Sequence, residues 1–164
     1  MSTVVELSPK LSVDMPQPRV VLFVCTGNTC RSPMAAAVWN HLAAERGWHS
    51  IATSAGLYVA VGMPISKEAV AALSAAGIMP TPRNDYPSHT ARPVSEKLMQ
   101  NADRVIAISA THAMELAVRY PQYAAKIETM PQGISDPFGG DVARYCACLA
   151  DIRQGIGQLC EGEQ

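Results

Sequence analysis

Val20-Val21-Leu22-Phe23-Val24, then Cys25-Thr26-Gly27-Asn28-Thr29-Cys30-Arg31-Ser32-Pro33, then Met34-Ala35-Ala36-Ala37-Val38-Trp39, is the stretch that decides the fold of this chain. The first five residues form an apolar run of buried-strand length. The last six read as the start of a helix. The nine between them must turn the chain from strand to helix, and they carry a cysteine and an arginine separated by five residues. Such a turn can curl so that successive N–H groups point inward as an anion-binding nest. The helix behind it adds its own unpaired N–H groups and the positive end of its dipole. Arg31 can offer a planar fork to two oxygens of a phosphoryl group. Cys25 stands at the mouth of the strand, where this field favours thiolate; cysteines so placed have pKa values lowered to roughly 3.5–7.5. Gly27 allows a tight or left-handed backbone. Asn28 also tolerates the left-handed region and can brace the turn with its amide. Ser32 can cap the helix or hydrogen-bond the thiolate, and Pro33 suits the first helical position.

A C-x5-R pattern occurs often by chance, so its weight comes from the agreement of strand, turn, glycine and helix around it. Cys25 and Cys30 have no second pair at zinc-finger spacing. The loop lacks the Gly-Lys-Ser/Thr ending of a Walker-type phosphate loop.

Working outward, strands and helices alternate. A strand over 19–24 leads to a helix over 32–46 that stops at Gly47, with Met34, Val38 and Leu42 toward the core. Ile51-Ala52-Thr53 is a short second strand. A helix near 66–76 is capped by Ser66 and closed by Gly77. Residues 78–93, with Pro80, Pro82 and Pro87, form a loop. A third helix over 94–101 precedes a strand at 103–108. A fourth helix spans 110–119 and ends before Tyr120-Pro121. Residues 126–130 make a weak fourth strand. In the last helix Val142, Tyr145, Leu149, Ile152, Ile156 and Leu159 form one apolar stripe. The order is that of an α/β single domain: a four-stranded parallel sheet with helices on both faces. Ligands of such sheets sit at the carboxyl ends of the strands, where Cys25 and Asp136 both fall.

Composition bounds the class. A chain of 164 residues suits one domain, here 19–164, behind an N-terminal extension, 1–18, that lacks the basic start and apolar core of a secretory signal. With 48% hydrophobic and 16% charged residues it is neither disordered nor membranous, and a net charge of −1 leaves no footprint for nucleic acid. Five cysteines in a mid-sized chain without a signal point to a reducing, cytoplasmic location. A monomer is expected. No metal cluster is evident and no cofactor is called for.

Taken together, these residues resemble the low-molecular-weight protein tyrosine phosphatases. The resemblance extends from the cysteine loop to Ser54-Ala55-Gly56, the exit of the second strand, to His89-Thr90-Ala91-Arg92, to Ala102-Asp103-Arg104-Val105-Ile106-Ala107-Ile108, and to Asp136-Pro137-Phe138-Gly139-Gly140. The motifs keep the family's order over roughly residues 19–160. The resemblance implies a cysteine-dependent phosphatase acting on phosphorylated proteins through a phosphocysteine. Cys25 would be the nucleophile, Arg31 the phosphoryl clamp and Asp136 the general acid and later base. Thr26, Gly27, Asn28, Thr29 and Cys30 would hold the substrate, with Tyr58 and Phe138 as aromatic walls. His89 would brace the loop through Asn28, with Ser32 and Ser54 as support. Cys30 could trap an oxidised Cys25 as a reversible disulfide. Asp136 could instead cap the last helix, but Asp141 is better placed to do so.

Substrate choice is divided. Tyrosine-specific members resemble one another in carrying an aliphatic residue just before the second loop cysteine, and often aromatics after Asp-Pro. Here Thr29 and Phe138-Gly139-Gly140 are closer to the family's bacterial protein arginine phosphatases, so phosphoarginine is slightly favoured over phosphotyrosine. Two readings of another class are a thiol-dependent arsenate reductase and a non-catalytic phospho-binding module. The reductase needs relay cysteines near the loop, yet none lies between 31 and 145. A mere binder needs no nucleophile. Cys146 and Cys148 are two apart on a helix and point to different sides. His41 reads as a surface or packing residue, and His49 and His112 receive no role.

Overall fold

A computed structural model describes residues 17–164, so most of the proposed extension, residues 1–16, lies outside the described residues. The elements run β1 (Arg19–Cys25), α1 (Arg31–Arg46), β2 (Ser50–Gly56), α2 (Lys67–Ala75), α3 (Glu96–Asn101), β3 (Arg104–Ala107), α4 (Ala110–Arg119), β4 (Ile127–Thr129) and α5 (Val142–Leu159), with single 3-10 segments at Tyr86–Ser88 and Pro121–Lys126. All strands are parallel, in the order β2-β1-β3-β4. β1 is therefore central, which is why its run of apolar residues is buried on both sides. Val21 and Phe23 face one core, with Trp39 of α1 and Leu149 and Ile152 of α5. Leu22 and Val24 face the other, with Met99 of α3 and Leu116 of α4. Helices thus cover both faces, as the alternation of strand and helix implies.

Local signals account for most boundaries. Ser66, Ser95, Ser109 and Asp141 cap α2, α3, α4 and α5, each accepting a backbone N–H three residues on. Asp141, not Asp136, is the cap of the last helix. Gly47 ends α1 in the left-handed conformation at φ 69°. Differences from the sequence reading are local. β2 is longer than 51–53 because its whole length pairs with β1, from Arg19↔Ser50 to Cys25↔Gly56. α1 begins at Arg31 with Cys30 as a cap that offers no side-chain bond. Pro33 is consequently the third helical residue, still within the turn whose N–H groups need no helical partner. α3 starts two residues after 94, because Pro93 precedes it and Ser95 caps it. Val142, at the first turn of α5, is exposed rather than part of the buried stripe. Among the described residues no helix is long and apolar enough to cross a membrane.

Candidate active site

β1 ends at Cys25, and the chain needs only five residues to reach α1. The carbonyls of Cys25, Thr26, Asn28, Thr29 and Cys30 are each held by a hydrogen bond. Cys25 O accepts from Leu57 N, Thr26 O from Tyr58 N, Thr29 O from Ser66 N and Cys30 O from Met34 N, at 2.9–3.1 Å. Asn28 O accepts from His89 Nε2 at 2.8 Å. A trans peptide sends its N–H opposite to its C=O, so these bonds turn the loop's N–H groups inward. The inward side is a cavity of about 200 Å³ lined by Cys25 to Arg31 together with Asp136 and Phe138.

Asn28 is the keystone of this turn. Among the described residues it is the non-glycine residue with positive φ, 61°. The left-handed step expected at Gly27 or Asn28 therefore falls on Asn28, whose side chain repays the strain locally. Its Oδ1 accepts from Arg92 N at 3.0 Å, and its Nδ2 donates to Ser32 Oγ at 2.8 Å and Ser54 Oγ at 3.0 Å. Asn28, Ser32 and Ser54 are all buried. Gly56 completes the support: a Cβ there would lie 2.6 Å from Thr26 O and 3.0 Å from Asn28 Cβ.

Cys25 lies at the floor, 3% exposed, with Ser32 Oγ 2.9 Å from its sulfur. Burial pushes the Cys25 thiol up from its ordinary range; the Ser32 hydroxyl, the N–H groups of Ser32 and Asn28, and Arg31 pull it down. A lowered value was expected from the nest alone. The correction has a physical source: the strand that aims the sulfur at the nest also seals it from water, and burial opposes the thiolate. Ser32 does not cap α1; it serves the sulfur.

Arg31 is buried and donates through Nη1 to Ile134 O at 3.0 Å, while its Nη2 lies 3.7 Å from Asp136 Oδ2. Asp136 is half-exposed and accepts from Phe138 N at 3.1 Å. Phe138 stands at the cavity edge, 76% exposed. Tyr58 does not line the cavity. It stands on the loop beyond β2, exposed, over the guanidinium of Arg119 at 5.1 Å, and Arg119 also reaches Leu57 O and Glu115. Thr29 lines the cavity with its hydroxyl 3.6 Å from Cys30 Sγ. Cys30 is buried, with Tyr145 Oη 3.1 Å from its sulfur.

Three contributors were missed by the sequence reading. His112, left without a role, is buried with Nε2 2.8 Å from Thr26 Oγ1 and Nδ1 2.8 Å from Ser109 Oγ. Burial and the nearby Arg31 push its pKa down. Tyr145, read only as part of an apolar stripe, holds Cys30 from α5, and burial helps push its hydroxyl up to about 12. Arg92 anchors Asn28 by its backbone and Ser54 O by Nε at 3.0 Å. A signal existed for the first: His112, Glu115 and Arg119 share one face of α4 at helical spacing. Cys146 is half-buried while Cys148 is buried, its sulfur 3.6 Å from Ser135 O and its thiol pushed up to about 12 by burial. Such a thiol is a poor disulfide relay, and all five cysteines are free.

Comparison with known proteins gives one consistent picture. A family model described as low molecular weight phosphotyrosine protein phosphatase matches residues 20–163. A protein-arginine-phosphatase of Bacillus subtilis (strain 168) is 31% identical over 86% of this chain and 94% of its own length. A protein-arginine-phosphatase of Geobacillus stearothermophilus is 32% identical over 88% and 95%. The crystal structure of a low molecular weight protein tyrosine phosphatase from T. tengcongensis superposes with a TM-score of 0.79 at 35% identity, covering 87% of this chain and 98% of that one.

Proposed function

Because this chain belongs to the low molecular weight phosphotyrosine protein phosphatase family, and is thereby a cysteine-dependent hydrolase of phosphoproteins, we propose that Cys25, Arg31 and Asp136 carry its reaction and that its substrate is phosphoarginine on proteins. The observation that carries the assignment is their convergence. One cavity of about 200 Å³ has the Cys25 sulfur at its floor, the loop N–H groups and Arg31 around it, and the Asp136 carboxylate at its mouth.

In the first step the Cys25 thiolate attacks phosphorus. A sulfur–phosphorus bond forms as the bond to the leaving nitrogen or oxygen breaks, and Asp136 supplies the proton that departs with it. The three equatorial oxygens are held by the inward N–H groups and by the buried guanidinium of Arg31. In the second step Asp136 takes a proton from water, which attacks phosphorus and frees Cys25. Thr26, Gly27, Asn28, Thr29 and Cys30 form the cradle, while His89, Ser32 and Ser54 keep its shape.

Three features support phosphoarginine. Thr29 is short and polar at the wall. The glycine pair after Phe138 leaves one aromatic wall at that side. Asp136, half-exposed at the cavity mouth, can hand its proton to the departing guanidine nitrogen. The relatives named above as arginine phosphatases agree. A cytoplasmic setting and a monomer complete the proposal: five free thiols suit a reducing compartment, and one chain lines the whole cavity.

The test compares kcat/KM on phosphoarginine and phosphotyrosine peptides, with Cys25→Ser as the control for the nucleophile. The expected result is faster hydrolysis of phosphoarginine, and no turnover by Cys25→Ser, which keeps anion binding. Preference for phosphotyrosine would overturn the substrate, and a tenth of wild-type activity in Cys25→Ser would overturn the nucleophile.

A further inference from the structure

His112 is a buried titratable side chain beside the phosphate loop that the reaction above does not use. Its ring bridges two elements. Nδ1 meets Ser109 Oγ, the cap of α4, and Nε2 meets the hydroxyl of Thr26, the residue after Cys25, both at 2.8 Å. Thr26 lines the cavity, and His112 is the partner of its hydroxyl among the described residues.

We propose that His112 is a positioning residue for the Thr26 hydroxyl, and that taking up a proton turns this hydroxyl toward a bound phosphoryl oxygen. The inference rests on the assignment of the cavity as the phosphoryl site. The ring proton is taken on Nδ1, one of the two tautomers that these contacts accommodate. Ser109 Oγ already accepts from His112 N at 3.4 Å and has Thr111 Oγ1 at 2.9 Å to donate to. With the Ser109 proton given to Thr111, Ser109 is an acceptor for Nδ1–H. In the neutral ring Nε2 is then an acceptor. The Thr26 proton is then given to Nε2 and is not offered to the cavity. When the ring is charged both nitrogens donate, Nε2–H points at Thr26 Oγ1, and the Thr26 proton must find another acceptor. A phosphoryl oxygen in the cavity is one.

The charges around the ring decide when this happens. Arg31 of α1 opposes protonation, while Glu115 on its own helix and Asp136 from the loop before α5 favour it. Burial, and then Arg31, push the pKa of the ring down. A dianion in the cradle reverses the local field, so the binding of a phosphoryl group and a proton on His112 reinforce each other.

The test uses wild-type protein and sulfate, whose charge is constant over the neutral range. Nitrogen chemical shifts of the His112 ring, followed against pH, should titrate at higher pH with sulfate bound than without. His112→Gln keeps a polar, neutral contact to Thr26. It should flatten the gain in sulfate affinity on acidification and lower kcat/KM roughly 2- to 12-fold, the scale of one neutral hydrogen bond. In a Thr26→Val background the same change should have no further effect, because the action runs through Thr26. An unmoved His112 titration on adding sulfate, or an equal loss in the Thr26→Val background, would overturn the proposal. Failure of the phosphatase assignment would instead show as absence of Cys25-dependent hydrolysis, and the sulfate titration reads His112 regardless.

Discussion

Replacing Ser32 by alanine should make the proposed nucleophile harder to ionise, and the size of the effect follows from a chain of hydrogen bonds. The direction of the Asn28 amide is set by Arg92, whose N–H can only donate and so meets Asn28 Oδ1 at 3.0 Å. Asn28 Nδ2 must therefore donate to Ser32 Oγ at 2.8 Å. That leaves the Ser32 proton to give away. Two acceptors are near: Ala55 O at 3.4 Å and Cys25 Sγ at 2.9 Å. The sulfur is nearer, and it gains most from the bond as a thiolate. Hydrogen bonds to charged groups contribute about 1.5–3 kcal/mol, and a pKa unit corresponds to about 1.4 kcal/mol. Ser32→Ala should accordingly raise the Cys25 pKa by about 1–2 units, in the direction burial already pushes it. Less thiolate is then present at any pH below that pKa. The assay is the rate of alkylation by iodoacetamide against pH, read by mass at Cys25. The expected result is a profile displaced to higher pH with its plateau preserved. A Ser32→Ala profile that overlays the wild type, or moves to lower pH, would refute the donor assignment and with it the role of Asn28 in setting it.

Three further outcomes follow from the site. Asp136→Asn should slow hydrolysis of substrates with poor leaving groups by roughly 10²–10⁴-fold and spare an activated aryl phosphate, whose leaving group needs no proton; equal losses on both would make Asp136 structural. Cys30→Ser should remove the recovery by dithiol after mild peroxide, since the Cys25 sulfenic acid would lack the thiol that displaces water to form a disulfide; a mass-mapped link from Cys25 to Cys148 would contradict this pairing. Gly56→Ala should lower both the melting temperature and kcat/KM, because its Cβ would meet Thr26 O at 2.6 Å and that carbonyl belongs to the cradle; overpacking of this kind costs about 1–3 kcal/mol, and unchanged unfolding and kinetics would show that the loop gives way freely.

The architecture is legible in the sequence, and so are Cys25, Arg31 and Asp136, which the fold gathers around one cavity. An uninterrupted apolar strand, a glycine-bearing turn and an alanine-rich helix are local signals, and two of the helix caps, Ser66 and Asp141, are read from single side chains. Cys25, Arg31 and Asp136 were singled out because few residue types can attack, clamp and protonate around phosphorus. The support of the loop was only partly legible. His89 was placed on Asn28 by resemblance, and the structure puts it on the Asn28 carbonyl at 2.8 Å. His112 escaped because one histidine on an amphipathic helix looks like any other until α4 is packed against the end of β1.

The alternation of elements and the chemistry available at the end of the first strand both depend on residues that are neighbours in the chain, and local patterns carry them. That the chemistry converges is a property of the folded chain. The loop N–H groups face inward because Leu57, Tyr58, Ser66 and His89, from segments far apart in sequence, take its carbonyls from outside. The Cys25 sulfur is buried as well as cradled, and Arg31 faces Asp136 across more than a hundred residues of chain. Burial, carbonyl direction and long-range pairing depend on which surfaces meet when a parallel sheet is covered on both faces, and no local pattern encodes them.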